Sequence, residues 1–146
     1  MKLKLAEWEN LWRRIGAQGE SEEHFRRISE AYDERHRAYH NAEHIAECLE
    51  ELSKVSAAPE TICDEVEMAL WLHDVVYDPR RNDNEEQSSA VASAICREAR
   101  LPAEFGRRVE DLILVTKHNV LPADADGRLL VDIDLSILGK PEDRFW

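Results

Sequence analysis

Apolar positions recur along most of this chain at intervals of three and four, the spacing that puts side chains on one face of an α-helix. Leu3, Leu5, Trp8, Leu11, Trp12 and Ile15 form the first stripe, and Gly16 and Gly19 end it. The two tryptophans fall in register with that stripe, so they read as core rather than as a binding platform. Ser21 suits the N-cap of a second helix, with Glu22 and Glu23 in its first turn. That helix turns Phe25, Ile28, Ala31 and Tyr32 inward and ends around 35–38. Tyr39 and His40 open a third, in the register His44, Ile45, Cys48, Leu49, Leu52 and Val55. After a break at 56–59, with Pro59 suited to a first turn, a fourth helix carries Ile62, Val66, Ala69, Leu70 and Leu72. It brings His73 and Asp74 near its C-terminal end.

Residues 77–84 have turn chemistry and read as a polar loop. A fifth helix is expected over 85–100, and a sixth carries Phe105, Val109, Leu112, Ile113, Val115 and Thr116, finishing near 117–119. Residues 122–127 read as a loop. The apolar run 129–139 alternates enough to resemble a strand, but a lone strand has no partner in this sequence. A short irregular lead-in followed by a helix from about Asp134 fits the whole better. The pattern predicts an all-α fold of five or six main helices, one domain over 1–146, with no internal repeat.

Composition narrows the function classes. A chain of 146 residues can bury a sizeable core in one domain. Its 31 acidic and 19 basic residues give a formal charge of -12, which repels nucleic-acid polymers and anionic membranes. The same field disfavours a phosphorylated substrate unless a local cation neutralises the site. No apolar run approaches the length of a membrane span, and the first residues lack the apolar core of a signal peptide. Cys48, Cys63 and Cys96 show no CxxC spacing and read as buried thiols in a reducing compartment. The expected location is the cytoplasm.

Against this background a few polar residues stand out. His73 and Asp74 sit in the apolar run Ala69-Leu70-Trp71-Leu72-His73-Asp74-Val75-Val76-Tyr77, where no basic residue can pair with Asp74. A buried carboxylate needs a partner or a metal. His40 and His44 are four apart, one turn from each other on a helix. Asp132 and Asp134 lie in an equally apolar frame, where each could also cap a helix. Any one of these signals alone has an ordinary structural reading. Together, imidazoles and carboxylates suit manganese, cobalt, nickel, iron or zinc more than calcium. Two or three histidines with two aspartates leave coordination positions open, and an open site favours hydrolysis because the metal acidifies water. Lys117 and His118 follow an apolar stripe and could approach a phosphate, although a helix C-terminus favours basic residues anyway. Arg80 and Arg81 could meet a phosphate from the polar loop but read better as solvated, and Glu85 and Glu86 suit a first helical turn.

The ordered set His…His-Asp…Asp on a helical chain resembles the HD-domain superfamily of metal-dependent phosphohydrolases. The strings Tyr39-His40-Asn41-Ala42-Glu43-His44-Ile45, Trp71-Leu72-His73-Asp74-Val75-Val76-Tyr77 and Asp132-Ile133-Asp134-Leu135-Ser136-Ile137-Leu138-Gly139 resemble a bacterial branch of predicted HD-superfamily hydrolases. The Tyr-His-Asn-x-x-His string is also similar to the start of the cyclic-nucleotide phosphodiesterase catalytic domain. The resemblance spans roughly residues 3–140. It implies an HD-like helical bundle around a metal pocket, with His44, His73, Asp74 and Asp134 as metal ligands. It further implies His40 as the general acid, with Asp74 able to bridge to a second metal. Tyr77 stands where the phosphodiesterases have a further histidine, so one ion is expected rather than two. An alternative makes His40 the ligand with His44 behind it, and spacing does not decide.

The expected activity is metal-dependent hydrolysis of a phosphomonoester or phosphodiester, on a small nucleotide-like substrate. His40, Asp74, Lys117 and His118 are the catalytic candidates. The cofactor is a divalent transition metal (Mn, Co, Ni, Fe or Zn), with Mg also open, and a homodimer is compatible with the sequence. Members of that branch run some tens of residues further, which implies truncation at the C-terminus. Two other readings stay open: a di-iron oxygenase of the HD type, which needs extra histidines, and a non-catalytic or regulatory metal-binding protein.

Overall fold

The computed structural model describes residues 2–34, 37, 40–55, 64–118, 121–122 and 124–138. Among them the chain forms seven helices and no strand. These are α1 (Leu5–Arg14), α2 (Ser21–Tyr32), α3 (Ala42–Val55), α4 (Asp64–Leu72), α5 (Asn84–Glu98), α6 (Ala103–Val115) and α7 (Ala125–Leu138). The architecture is an all-α bundle built around α4. Val66 and every residue from Met68 to Leu72 are buried, and a helix apolar on all sides must be covered on all sides. Helices α1, α3, α5, α6 and α7 all pack against it.

The tryptophan stripe is core. Trp8 meets Trp71 edge-on at 5.2 Å between ring centres and lies 5.7 Å from Trp12. Its indole N–H donates to the Ser21 carbonyl at 3.0 Å, tying α1 to the start of α2. The Tyr32 hydroxyl donates to the Trp71 carbonyl at 2.7 Å, occupying an acceptor near the end of α4. The stop after α1 has the expected cause: Gly16 and Gly19 adopt φ of +74° and +97°, where a side chain would be strained.

Several boundaries differ from the expectation. Ser21 is the first helical residue of α2, with Glu20 at the N-cap position and no side-chain cap. The third helix begins at Ala42, so His40 precedes it; the Asn41 side chain caps it, accepting the His44 N–H at 3.1 Å. The largest correction is α7, which starts at Ala125 rather than near Asp134. Residues 122–127 look like a loop because they are rich in turn formers, yet Asp124 precedes the helix directly and Ala125, Asp126 and Gly127 form its start. The Asp124 side chain accepts the Gly127 N–H at 2.9 Å, and Arg108 of α6 pairs with Asp124 at 2.7 Å and Asp126 at 3.3 Å. Gly127 allows a close approach, since a Cβ there would lie 3.1 Å from the Pro122 Cβ, tighter than ordinary contact.

Cys48 and Cys96 are buried free thiols. Tyr39, the break at 56–59, Ile62, Cys63, Asn119 and residues 139–146 lie outside the described residues. No helix among the described residues is long and apolar enough to cross a membrane.

Candidate metal centre

Three helical regions deliver the site. The Asn41 cap fixes the first turn of α3 and with it His44, which is buried. The turn that follows α4 carries His73 and Asp74, closed by the Val75 N–H on the Leu72 carbonyl at 3.1 Å. In α7, Leu130, Ile133 and Asp134 share the buried face while Asp132 is exposed. Of the two aspartates in that apolar run, helical period selects Asp134.

The four side chains converge. His44 Nε2 lies 2.9 Å from Asp134 Oδ1 and 3.5 Å from Asp74 Oδ2. His73 Nε2 lies 3.2 Å from the same Asp134 oxygen and 3.4 Å from the same Asp74 oxygen. One ligand atom from each of the four residues falls within 4.8 Å of the other three. Atoms held about 2.1 Å from a common ion sit roughly 3–4 Å apart, so the spacing matches a chelate. Among the described residues this is one group, consistent with one divalent ion.

The donor chemistry fits as well. His73 Nδ1–H donates to the Leu70 carbonyl at 2.9 Å, which orients the ring as metal-bound histidines are usually oriented. Its Nε2 then presents a lone pair to two carboxylate oxygens, so acceptors face acceptors until a proton or a cation comes between them. His44 Nδ1 is buried without a partner among the described residues. Burial works against a charged His73, but Asp74 and Asp134 outweigh it and push its pKa up to about 10. Burial likewise raises the aspartates' pKa values, and the imidazoles reverse it. His73, followed by His40 and His44, holds Asp74 down at about 2, and His73, His118 and His44 hold Asp134 well below the usual carboxylate range. The cluster is a pair of buried carboxylates whose charge is met by protonated His73, in the place a cation would take.

Two further histidines flank the four. His40 Nδ1 is 2.9 Å from Asp74 Oδ2, and its ring lies 4.3 Å from that of Tyr77 between centres. His118 Nε2 is 2.8 Å from Asp134 Oδ2, from a backbone at φ +62° that strains a non-glycine residue. The hydrogen bond to Asp134 raises the His118 pKa. The group of four contains His44 and not His40, although both lie close to Asp74. Lys117, adjacent in sequence, turns elsewhere: its ammonium donates to Glu86 at 2.7 Å and to the Asn82 carbonyl at 2.8 Å. Arg80 and Arg81 are exposed and pair with Asp78 and Asp83 of their own loop. Cys48, one turn beyond His44, places its sulfur 3.8 Å from His44 Nε2; burial and the two aspartates keep it a neutral thiol.

One contributor escapes sequence reasoning. Arg37, just ahead of the Tyr-His-Asn string, buries its guanidinium behind the site and bonds to the carbonyls of His40, Asp74 and Val75. Its pairing with Glu34 is local, and no spacing rule ties it to the site, because the atoms that connect it there are main-chain carbonyls.

Fold and site together define an all-α bundle with a buried His/Asp cluster able to chelate a metal ion. No family model, no curated protein and no solved structure matches the chain.

Proposed function

We propose that the protein is a metal-dependent hydrolase of phosphate esters, acting on a small nucleotide-like phosphomonoester or phosphodiester. The observation that carries this reading is the division of the histidines into two layers. The side chains of His44 and His73 are 1% exposed, whereas those of His40 and His118 are 25% and 30% exposed. The inner pair can meet only an ion, and the outer pair can meet a substrate. When bound, a divalent cation supplies Lewis acidity toward a phosphoryl oxygen and toward water. It also offsets the negative field that would otherwise repel the substrate.

His44, His73, Asp74 and Asp134 hold that cation. His40, oriented through Nδ1 by Asp74, keeps its other nitrogen for the leaving oxygen and acts as the general acid. His118, fixed by Asp134, donates toward charge that develops on the phosphoryl group. Lys117 takes part only if a substrate phosphate draws its ammonium from Glu86. The likeness of the three motif strings to HD-superfamily phosphohydrolases supports the same assignment, with Mn, Co, Ni, Fe or Zn, and Mg also open, as the ion.

Elemental analysis of the purified protein, followed by a panel of nucleotides and simple phosphate esters with manganese, cobalt, nickel or magnesium added, tests the proposal. Stoichiometric metal with ester turnover is expected. Metal binding without turnover of any ester would refute the hydrolase reading.

A further inference from the structure

The side chain of Arg37 is 1% exposed although it carries a full charge. Burying a guanidinium is costly unless its donors are satisfied and an anion is near. Its Nε donates to Glu34 at 2.9 Å and its Nη2 to the Val75 carbonyl at 2.8 Å. Its Nη1 donates to two carbonyls, that of Asp74 at 2.6 Å and that of His40 at 3.0 Å. The rings of Tyr32 and Tyr77 flank the guanidinium, at 5.2 Å and 5.9 Å from its central carbon, within cation–π reach. A single nitrogen therefore bridges the main chain of two segments far apart in sequence. Those two residues are the ones whose side chains meet at 2.9 Å, His40 Nδ1 on Asp74 Oδ2.

We propose that Arg37 is a positioning residue that locks His40 against Asp74. His44 and Asp134 sit on helices, and His73 and Asp74 share the turn after α4 that the Val75 N–H closes on the Leu72 carbonyl, so the four candidate ligands have supports besides this lock. His40 precedes the first turn of α3 and has no helix to hold it. A lysine at position 37 keeps the charge but cannot bridge three carbonyls with a planar fork. The consequence for turnover rests on the phosphohydrolase reading; the placement of His40 does not.

The test uses the full chain carrying Arg37→Lys, His40→Ala or both. Acylation of His40 by diethyl pyrocarbonate, followed by peptide mass spectrometry with His118 as internal reference, reports whether the ring is held. In Arg37→Lys the His40 rate should rise several-fold while the His118 rate stays unchanged. An unchanged His40 rate in the folded variant, or an equal rise at both histidines, overturns the proposal. Manganese affinity should stay within about tenfold of wild type; a loss matching that of His73→Ala would place Arg37 in chelation and overturn it too. If Arg37→Lys does not fold, Glu34→Gln removes the carboxylate that orients the fork from a half-exposed position, and it too must raise the His40 rate. Where the wild type turns over an ester, Arg37→Lys should lower kcat by about tenfold or more, with little further loss in the His40→Ala background. Additive losses there would mean that Arg37 does not act through His40. Should no ester be turned over while His40 labelling still responds, the hydrolase reading fails and the role of Arg37 stands.

Discussion

In the metal-free protein at neutral pH, a proton occupies the place a cation would take on His73. The Nδ1–H of that ring is committed to the Leu70 carbonyl, and Nε2 faces Asp134 at 3.2 Å and Asp74 at 3.4 Å. With burial outweighed by the two carboxylates, the ring keeps its second proton up to about pH 10, against an ordinary 6.5. Metal must expel that proton throughout this interval, so the logarithm of the binding constant should rise by about one per pH unit. Between pH 7 and pH 9 the gain is about 100-fold, or about 2.7 kcal/mol. A histidine of ordinary pKa would give less than about twofold over the same range. Isothermal titration with manganese at pH 7, 8 and 9, in buffers of different ionisation enthalpy, measures both the affinity and the protons released. Flat affinity with no proton release at pH 8 would show that His73 is neutral before metal arrives, and the account of the carboxylates converging on it would be wrong.

Three other outcomes follow from the same geometry. His73, whose folded pKa is raised, stabilises the metal-free fold fully below pH 6.5 and loses that contribution as pH climbs toward 10; Asp74, whose pKa is lowered, contributes above pH 3.8 and loses it toward pH 2. The melting temperature of metal-free protein should therefore fall between pH 6.5 and 9.5, and saturating manganese should remove that fall in a circular-dichroism melt. Either His73→Ala or Asp74→Ala should abolish metal retention, read by elemental analysis, together with any ester turnover; persistence of turnover in both would sink the mechanism. Asp124→Ala removes the cap of α7 and should cost about 1 kcal/mol in urea unfolding, with manganese affinity kept within several-fold because Asp134 lies more than two turns away.

The helical class is legible in the three-and-four spacing of apolar positions, and His73, Asp74 and Asp134 stand out as candidate ligands for a second physical reason, whereas His44 rather than His40 is singled out only by the resemblance of the motif strings. Charged or polar groups inside apolar runs must be compensated, and the runs around His73-Asp74 and Asp134 are long enough to make burial evident. Helical period then separates Asp134 from Asp132 once α7 is known to be helical through both. The start of α7 is hidden because its first turn is made of Asp124, Ala125, Asp126 and Gly127, residues that serve a turn as well as a capped helix. What decides between them is Arg108, sixteen residues or more earlier in the chain, pairing with both aspartates. His40 illustrates a different blind spot. Its four-residue spacing from His44 implies one helical face, yet it stands ahead of the helix and reaches the site through Arg37 and Asp74. The neighbours are right and the reason is tertiary.

Asp134 concentrates the consequences of this arrangement. Its Oδ1 faces His44 and His73, and its Oδ2 takes His118. Asp74 divides its duty in a similar way, turning one oxygen toward His44 and His73 of the inner layer and His40 of the outer. Each carboxylate is thus shared between the inner pair that would hold an ion and one rim histidine that would touch a substrate. Losing Asp134 would remove one of the two carboxylates able to hold an ion and, in the same stroke, the group that fixes His118 and raises its pKa. Chelation and rim chemistry are coupled through the same two side chains, so substitutions at either aspartate should not combine additively with substitutions at the rim histidine it holds. A bundle that positions these two carboxylates, one in the turn after α4 and one on α7, therefore positions the four histidines around them as well.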